Sequence, residues 1–194
     1  MKSIASLYKF IFSDLLVFLL FFISTFYSGV TLSSESVKLD DSRSVIIMLP
    51  SGWQLIRMMS PPELPAKNIN LVKDDYKILV TLIGSKGGVP LNMSDEKLVA
   101  LINKTSMQYV PNSVQGKISI NKIQNIFTRG GYASFTDKVW IDKQPPPGEY
   151  KHVTSGVLAI GDSIIASVTY LSNELEGEVF EEGLAIIKNL KLQE

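Results

Sequence analysis

Two runs near the C-terminus, His152–Ile160 and Ser163–Leu171, with Gly161-Asp162 between them, constrain this chain more than any other feature. Both are rich in Val, Ile, Leu and Thr, and a glycine opening a two-residue connection is the signature of a β-hairpin. A lone hairpin is marginal in water, so the rest of the chain has to supply strands beside it and helices over it.

The candidates lie upstream. Asn68–Val72 and Tyr76–Ile83, separated by Lys73-Asp74-Asp75, read as a second antiparallel pair. In the latter run Tyr76, Ile78, Val80 and Leu82 share one face while Lys77, Leu79, Thr81 and Ile83 share the other, so both faces call for cover. Ser44–Leu49 and Trp53–Met59 read as another hairpin across Pro50-Ser51-Gly52, closed by Pro61, Pro62 and Pro65, with Trp53 in the core. Gly116–Ile126 and Tyr132–Trp140 read as strands joined by a turn at Thr128-Arg129-Gly130-Gly131.

Two helices are expected. Ser94 can cap one whose first turn holds Asp95 and Glu96, with Leu98, Leu101, Ile102 and Tyr109 near one face and Pro111 at its end. A second runs from Asn173 to Leu190, acidic at its start and carrying the stripe Val179, Phe180, Ile186, Ile187 and Leu190. Hairpins, helix, more strands and a closing helix together predict an α+β fold, a twisted antiparallel sheet flanked by helices.

The first 30 residues follow other rules. Lys2 and Lys9 precede the apolar run Leu15–Phe26, the pattern of an export signal. Twelve helical residues span only about 18 Å, against a bilayer core of about 30 Å. Thr31-Leu32-Ser33 is the best match to a signal-peptidase site, so residues 1–33 read as a signal peptide or, if uncleaved, an N-terminal membrane anchor. Residues 34–43 then form a flexible lead-in, and 44–192 a single domain of about the usual size. The expected location is exported, periplasmic or secreted, with membrane contact only through the N-terminal segment.

Composition removes several kinds of chemistry. The chain has no cysteine, which excludes disulfides, thiolate metal sites and cysteine nucleophiles. Basic and acidic residues number 19 each, and without Lys2, Lys9 and Asp14 they number 17 and 18, a net charge near −1. Arg43, Arg57 and Arg129 are far apart in sequence, so no basic cluster for a nucleic acid is present.

The run Val45–Trp53, VIIMLPSGW, resembles the opening of the PsbP-like proteins: photosystem extrinsic subunits, Ran-binding import factors and bacterial periplasmic relatives. The ending, a hairpin over Gly156–Leu171 followed by a helix, is similar to theirs too. The resemblance covers about residues 40–192 and implies an α/β/α sandwich with a binding or assembly role. No functional residue transfers with it, because fold does not carry function.

Catalytic motifs are sparse. His152 is the only histidine, so paired-histidine metal sites are unavailable, and a Ser-His-Asp triad would have to use it without a nucleophile-elbow serine. It reads as a partly exposed strand-end residue. Gly84-Ser85-Lys86-Gly87-Gly88 could offer amides to a small anion but lacks the lysine and hydroxyl of a P-loop. Glu174, Glu176, Glu178, Glu181 and Glu182 read as the acidic start of a helix. No catalytic, cofactor or metal residue is assigned.

Gln144–Glu149, with three consecutive prolines, must be an exposed loop, and Trp140, Pro146, Tyr150 and His152 around it are the candidate partner surface. The expected function is an exported, non-enzymatic protein-binding or envelope accessory domain with an unidentified protein partner. The alternatives are a hydrolase-type enzyme using His152 or an acidic pair, and a membrane-tethered subunit of a larger complex.

Overall fold

Alternating apolar residues make the two long hairpins, and the structure builds outward from them. The computed structural model describes residues 31–59 and 66–193; the apolar run Leu15–Phe26 and the prolines at 61, 62 and 65 lie outside the described residues. Two antiparallel sheets form. The larger contains β3 (Gln54–Arg57), β4 (Ala66–Lys73), β5 (Tyr76–Gly84), β6 (Asn121–Gln124), β7 (Thr128–Thr136), β8 (His152–Ile160) and β9 (Ile164–Ser172), in the order β3-β4-β5-β9-β8-β7-β6. The smaller has order β1-β2-β10, from β1 (Leu32–Lys38), β2 (Ser44–Pro50) and β10 (Lys191–Gln193).

Helices α1 (Asp95–Ser106) and α2 (Glu178–Lys188) take opposite faces of the large sheet. Leu98 and Ile102 of α1 bury against Val157 and Ala159. Phe180, Leu184, Ile186 and Ile187 of α2 join Ile78, Val80, Leu82, Val168 and Tyr170 on the other face, where Val45, Ile47 and Leu49 of β2 complete the main core. The α+β arrangement, an antiparallel sheet with flanking helices, is therefore as expected. At the end of the hairpin Ile160 pairs with Ile164, so the connection is the three residues Gly161 to Ser163.

Several sequence expectations are corrected. Residues 34–43 are no flexible lead-in: β1 pairs with β2 from Leu32↔Pro50 to Lys38↔Ser44, and Val37 and Arg43 are buried. The residues from Leu32 onward cluster as one unit, so the domain starts before residue 44. Ser44–Leu49 and Trp53–Met59 are no hairpin, because β2 has both edges taken, by β1 and β10, and the chain crosses at Pro50–Trp53 to pair β3 with β4 in the other sheet. Trp53 is buried at that crossing, as expected.

The turn placed at Thr128–Gly131 lies instead at Asn125–Phe127, where Asn125 Oδ1 accepts hydrogen bonds from the amides of Phe127 (2.8 Å) and Thr128 (2.9 Å). Gly130 and Gly131 are inside β7 because neighbouring strands approach closely. A Cβ on Gly130 would collide with the Val157 carbonyl oxygen, and one on Gly131 would come 2.7 Å from that of Asn121.

The strand expected over Gly116–Ile126 is only β6, and that over Tyr132–Trp140 stops at Thr136. The last helix is shorter than Asn173–Leu190. Ser172 Oγ donates to the Glu174 carbonyl at 2.6 Å, Gly177 sits at φ +97°, and helix begins only at Glu178. The cover expected over both faces of β5 is also incomplete: Ile78, Val80 and Leu82 are buried, while Ile83 on the other face is 41% exposed. The α1 side covers β7 and β8 instead.

Candidate functional site

The proline loop is pinned at several points to the segment that follows α1. Asp137 Oδ1 accepts from the amide of Val139 at 2.9 Å and starts a short 3-10 turn, Lys138–Trp140. Lys138 Nζ donates to the Pro111 carbonyl at 3.1 Å, the Val114 amide donates to Thr136 at 2.8 Å, and Ser113 bridges Asp137. Lys151 Nζ donates to the Ile141 carbonyl at 3.0 Å, tying down the far end. Pro146 is exposed, Trp140 and Tyr150 are half-buried, and Val114, Val139 and Ile141 beside them are exposed. These three aliphatic residues were not singled out from sequence, because only pairing across the Ser113–Asp137 bridge brings residue 114 next to the loop.

His152 does not belong to that surface. Only 9% of it is accessible, because it begins β8 between Thr136 of β7 and Ser172 of β9. This corrects the reading of a partly exposed strand end. Its Nδ1 lies 3.0 Å from Thr136 Oγ1, which also accepts from Gln115 Nε2 at 3.2 Å. Gln115 Oε1 in turn accepts from the Thr136 amide at 2.8 Å. One step along the strands, the hydroxyls of Ser134 and Thr154 are 2.7 Å apart.

Burial, and secondarily the charge on Lys151, pushes the imidazole pKa below its ordinary value of 6.5, so it is neutral near pH 7. A triad histidine needs a carboxylate on one nitrogen and a serine on the other. Among the described residues, the imidazole pairs with a threonine hydroxyl. The buried, unbonded Ser163 Oγ lies beyond the opposite end of β9, a strand that spans roughly 26 Å at 3.3 Å per residue.

The other two sequence candidates are engaged elsewhere. Ser85 of the glycine loop donates its amide to the Ser163 carbonyl at 2.8 Å, and its hydroxyl and carbonyl both accept from Arg43. The acidic residues are divided: Glu182 Oε2 accepts from Lys73 Nζ (2.7 Å) and Trp53 Nε1 (2.9 Å), while Glu174 accepts from the Tyr76 hydroxyl at 3.3 Å. Among the described residues no three His, Asp or Glu side chains are grouped to hold a metal ion.

Sequence reasoning did not find an open cleft of about 630 Å³ between the outer face of the small sheet and the C-terminal half of α2. Ile46, Met48 and Pro50 of β2 form its floor, with Leu32, Phe127, Ala185 and Leu192 around them and Lys191 as the one charged lining residue among the described residues. Lys191 Nζ sits 4.9 Å from the centre of the Phe127 ring, a cation–π contact. The run Val45–Pro50 did hold a signal: consecutive apolar residues put Ile46 and Met48 on the face opposite Val45, Ile47 and Leu49, and nothing in sequence explained that second face. Compared with models of protein families, with curated proteins and with solved structures, the chain matches none.

Proposed function

We propose that this protein is an exported, non-enzymatic binding domain that holds a protein partner on the platform made by residues 113–114 and the 137–150 loop. The observation that supports this most is the set of exposed aliphatic side chains, Val114, Val139 and Ile141, fixed around half-buried Trp140 by main-chain and lysine hydrogen bonds. A rigid platform loses little entropy on association, and aromatic anchors with prolines are typical of interface centres. The export part rests on Lys2, Lys9 and the apolar run Leu15–Phe26. A relationship to the PsbP-like proteins is part of the same reading; its support is the VIIMLPSGW run and an antiparallel sheet with helices on both faces.

The test is affinity capture from native envelope extracts with the full chain and with a Val139→Lys, Ile141→Lys variant. A partner retained by the first and lost by the second, at equal thermal stability, is the expected result. Equal recovery by both, or by neither, overturns the proposal. N-terminal sequencing of the mature protein checks the export segment separately.

A further inference from the structure

We infer that the cleft between β2, β10 and α2 is a binding site for one long-chain fatty carboxylate, its hydrocarbon lying over Ile46, Met48 and Leu192 and its carboxylate meeting the Lys191 ammonium. Leu32 is 52% and Met48 36% exposed here, so apolar surface that folding ordinarily removes from water is left open. A volume of about 630 Å³ is in the range of small-molecule sites and too large for a packing defect.

Charge selects the occupant. Among the described residues the lining contains Lys191 and no carboxylate, and Lys191 forms none of the ion pairs found among them. Lys191 is exposed, and contact with the Phe127 ring places its ammonium at the cleft. An anionic group at that point gains a charge-assisted contact, and a cationic or neutral head group does not. A peptide strand fits less well. The floor strand β2 is paired along both edges, by β1 and β10, so the floor offers side chains and no free main-chain edge for strand addition.

Cells expressing the full chain are given a palmitate analogue carrying a photoreactive diazirine and an alkyne, or the matching analogue ending in a neutral alcohol. After irradiation, the protein is captured and its labelled peptides are sequenced. Ala185 is exposed on α2 and lines the cleft, so Ala185→Trp fills it without entering the core; Met48→Asp is a second block, used if that variant fails to accumulate.

Labelling is expected on peptides covering 44–50 and 185–193, with a loss of roughly tenfold in the blocked variant. The acid is expected to label more than the alcohol, and Lys191→Glu to erase that preference. Labelling unaffected by the block, equal labelling by acid and alcohol, or labelling confined to other peptides overturns the inference. The platform variant Val139→Lys, Ile141→Lys labels normally if the two sites are independent.

Discussion

Arg43 Nη2 donates to the main-chain carbonyl of Ser85 at 2.6 Å, across 42 residues of sequence. Only 5% of Arg43 is accessible, and its other donors reach Ser85 Oγ (3.2 Å), the Ser163 carbonyl (3.4 Å) and Asp40, which also accepts from Nε at 2.8 Å. One side chain therefore joins the β1–β2 connection of the small sheet to the end of β5 and to the β8–β9 turn of the large one. Gly84 permits this, since a Cβ there would press on the guanidinium at 3.3 Å.

Replacing Arg43 with Met should be among the costliest changes in the protein. It removes every guanidinium donor from this buried junction, leaving the Ser85 carbonyl only the distant Gly88 amide at 3.4 Å and the Ser163 carbonyl only the Ser85 amide, for a loss of about 2–4 kcal/mol, discounted because Asp40 stays partly solvated. Arg43→Lys keeps the charge but not the fork and should lose about half as much, or roughly 1–2 kcal/mol. Urea unfolding of the three proteins decides this: equal midpoints for wild type and Arg43→Met would remove Arg43 from the account.

The same contact has a pH signature. The Arg43 guanidinium, helped by donors from Ser42, holds the Asp40 carboxyl at about 2, below its ordinary 3.8. A folded pKa below the unfolded one gives stability that is present above pH 3.8 and is lost as pH falls toward 2. Asp40→Asn should lower stability at pH 6 and flatten the decline between pH 4 and pH 2. Parallel curves for variant and wild type through that window would refute it.

Glu182 brings a second distant pair together, because its Oε2 accepts from both Trp53 Nε1 and Lys73 Nζ, 129 and 109 residues away in sequence. The Lys73 and Glu182 side chains are 19% and 17% accessible, so this pair is shielded from solvent more than a surface bridge. Glu182→Ala should cost about 1.5–3 kcal/mol, leaving a charge and an indole N–H without their acceptor. Glu182→Gln keeps an acceptor and should cost about half as much. Thermal melts measure the loss, and a red shift in tryptophan emission, in a background with Trp140 replaced by Phe, reports exposure of Trp53.

These long-range contacts mark the limit of what residue patterns reveal. The β4–β5 and β8–β9 hairpins and the Ser94 cap were legible because their signals are local; Ser94 Oγ does accept from the Lys97 amide, at 3.3 Å. Sheet membership was not legible. β2 looked like half of a hairpin because sequence does not show that β1 and the three-residue β10, separated by well over a hundred residues, occupy both its edges. His152 looked surface-bound for the same reason: its burial depends on β7 and β9, not on the proline loop before it. The cleft combines β1, β2, β10, α2 and Phe127, so no contiguous motif could encode it.

Gly183 was unremarkable in sequence and is tightly constrained in space. A Cβ there would collide with the Tyr170 hydroxyl and lie 2.5 Å from its Cζ and 2.7 Å from Cε1. Tyr170 is fully buried, stacks on Phe180 with ring centres 5.1 Å apart and donates to the Val179 carbonyl at 3.1 Å. Gly183→Ala should therefore push α2 off the sheet and cost about 1–3 kcal/mol, despite alanine's better helix propensity. Combining it with Tyr170→Phe should recover only part of the loss, since the ring atoms remain in the way. A double-mutant cycle tests this, and a stabilising Gly183→Ala would contradict the packing described.

Neutral, buried His152 gives the last expectation. Because burial lowers its folded pKa below 6.5, the unfolded chain binds a proton first as pH falls. Its contribution is fully present above about pH 6.5 and declines below that as the unfolded form is protonated, the loss ending once the folded histidine titrates. His152→Gln retains hydrogen-bonding groups for Thr136 without a titrating proton. Urea midpoints measured from pH 8 to pH 5 should fall more steeply for wild type than for the variant. The variant should also keep partner capture through the platform, since residue 152 is buried and outside that surface. Loss of a measurable hydrolytic activity with stability intact would instead assign the imidazole to chemistry and displace the binding proposal.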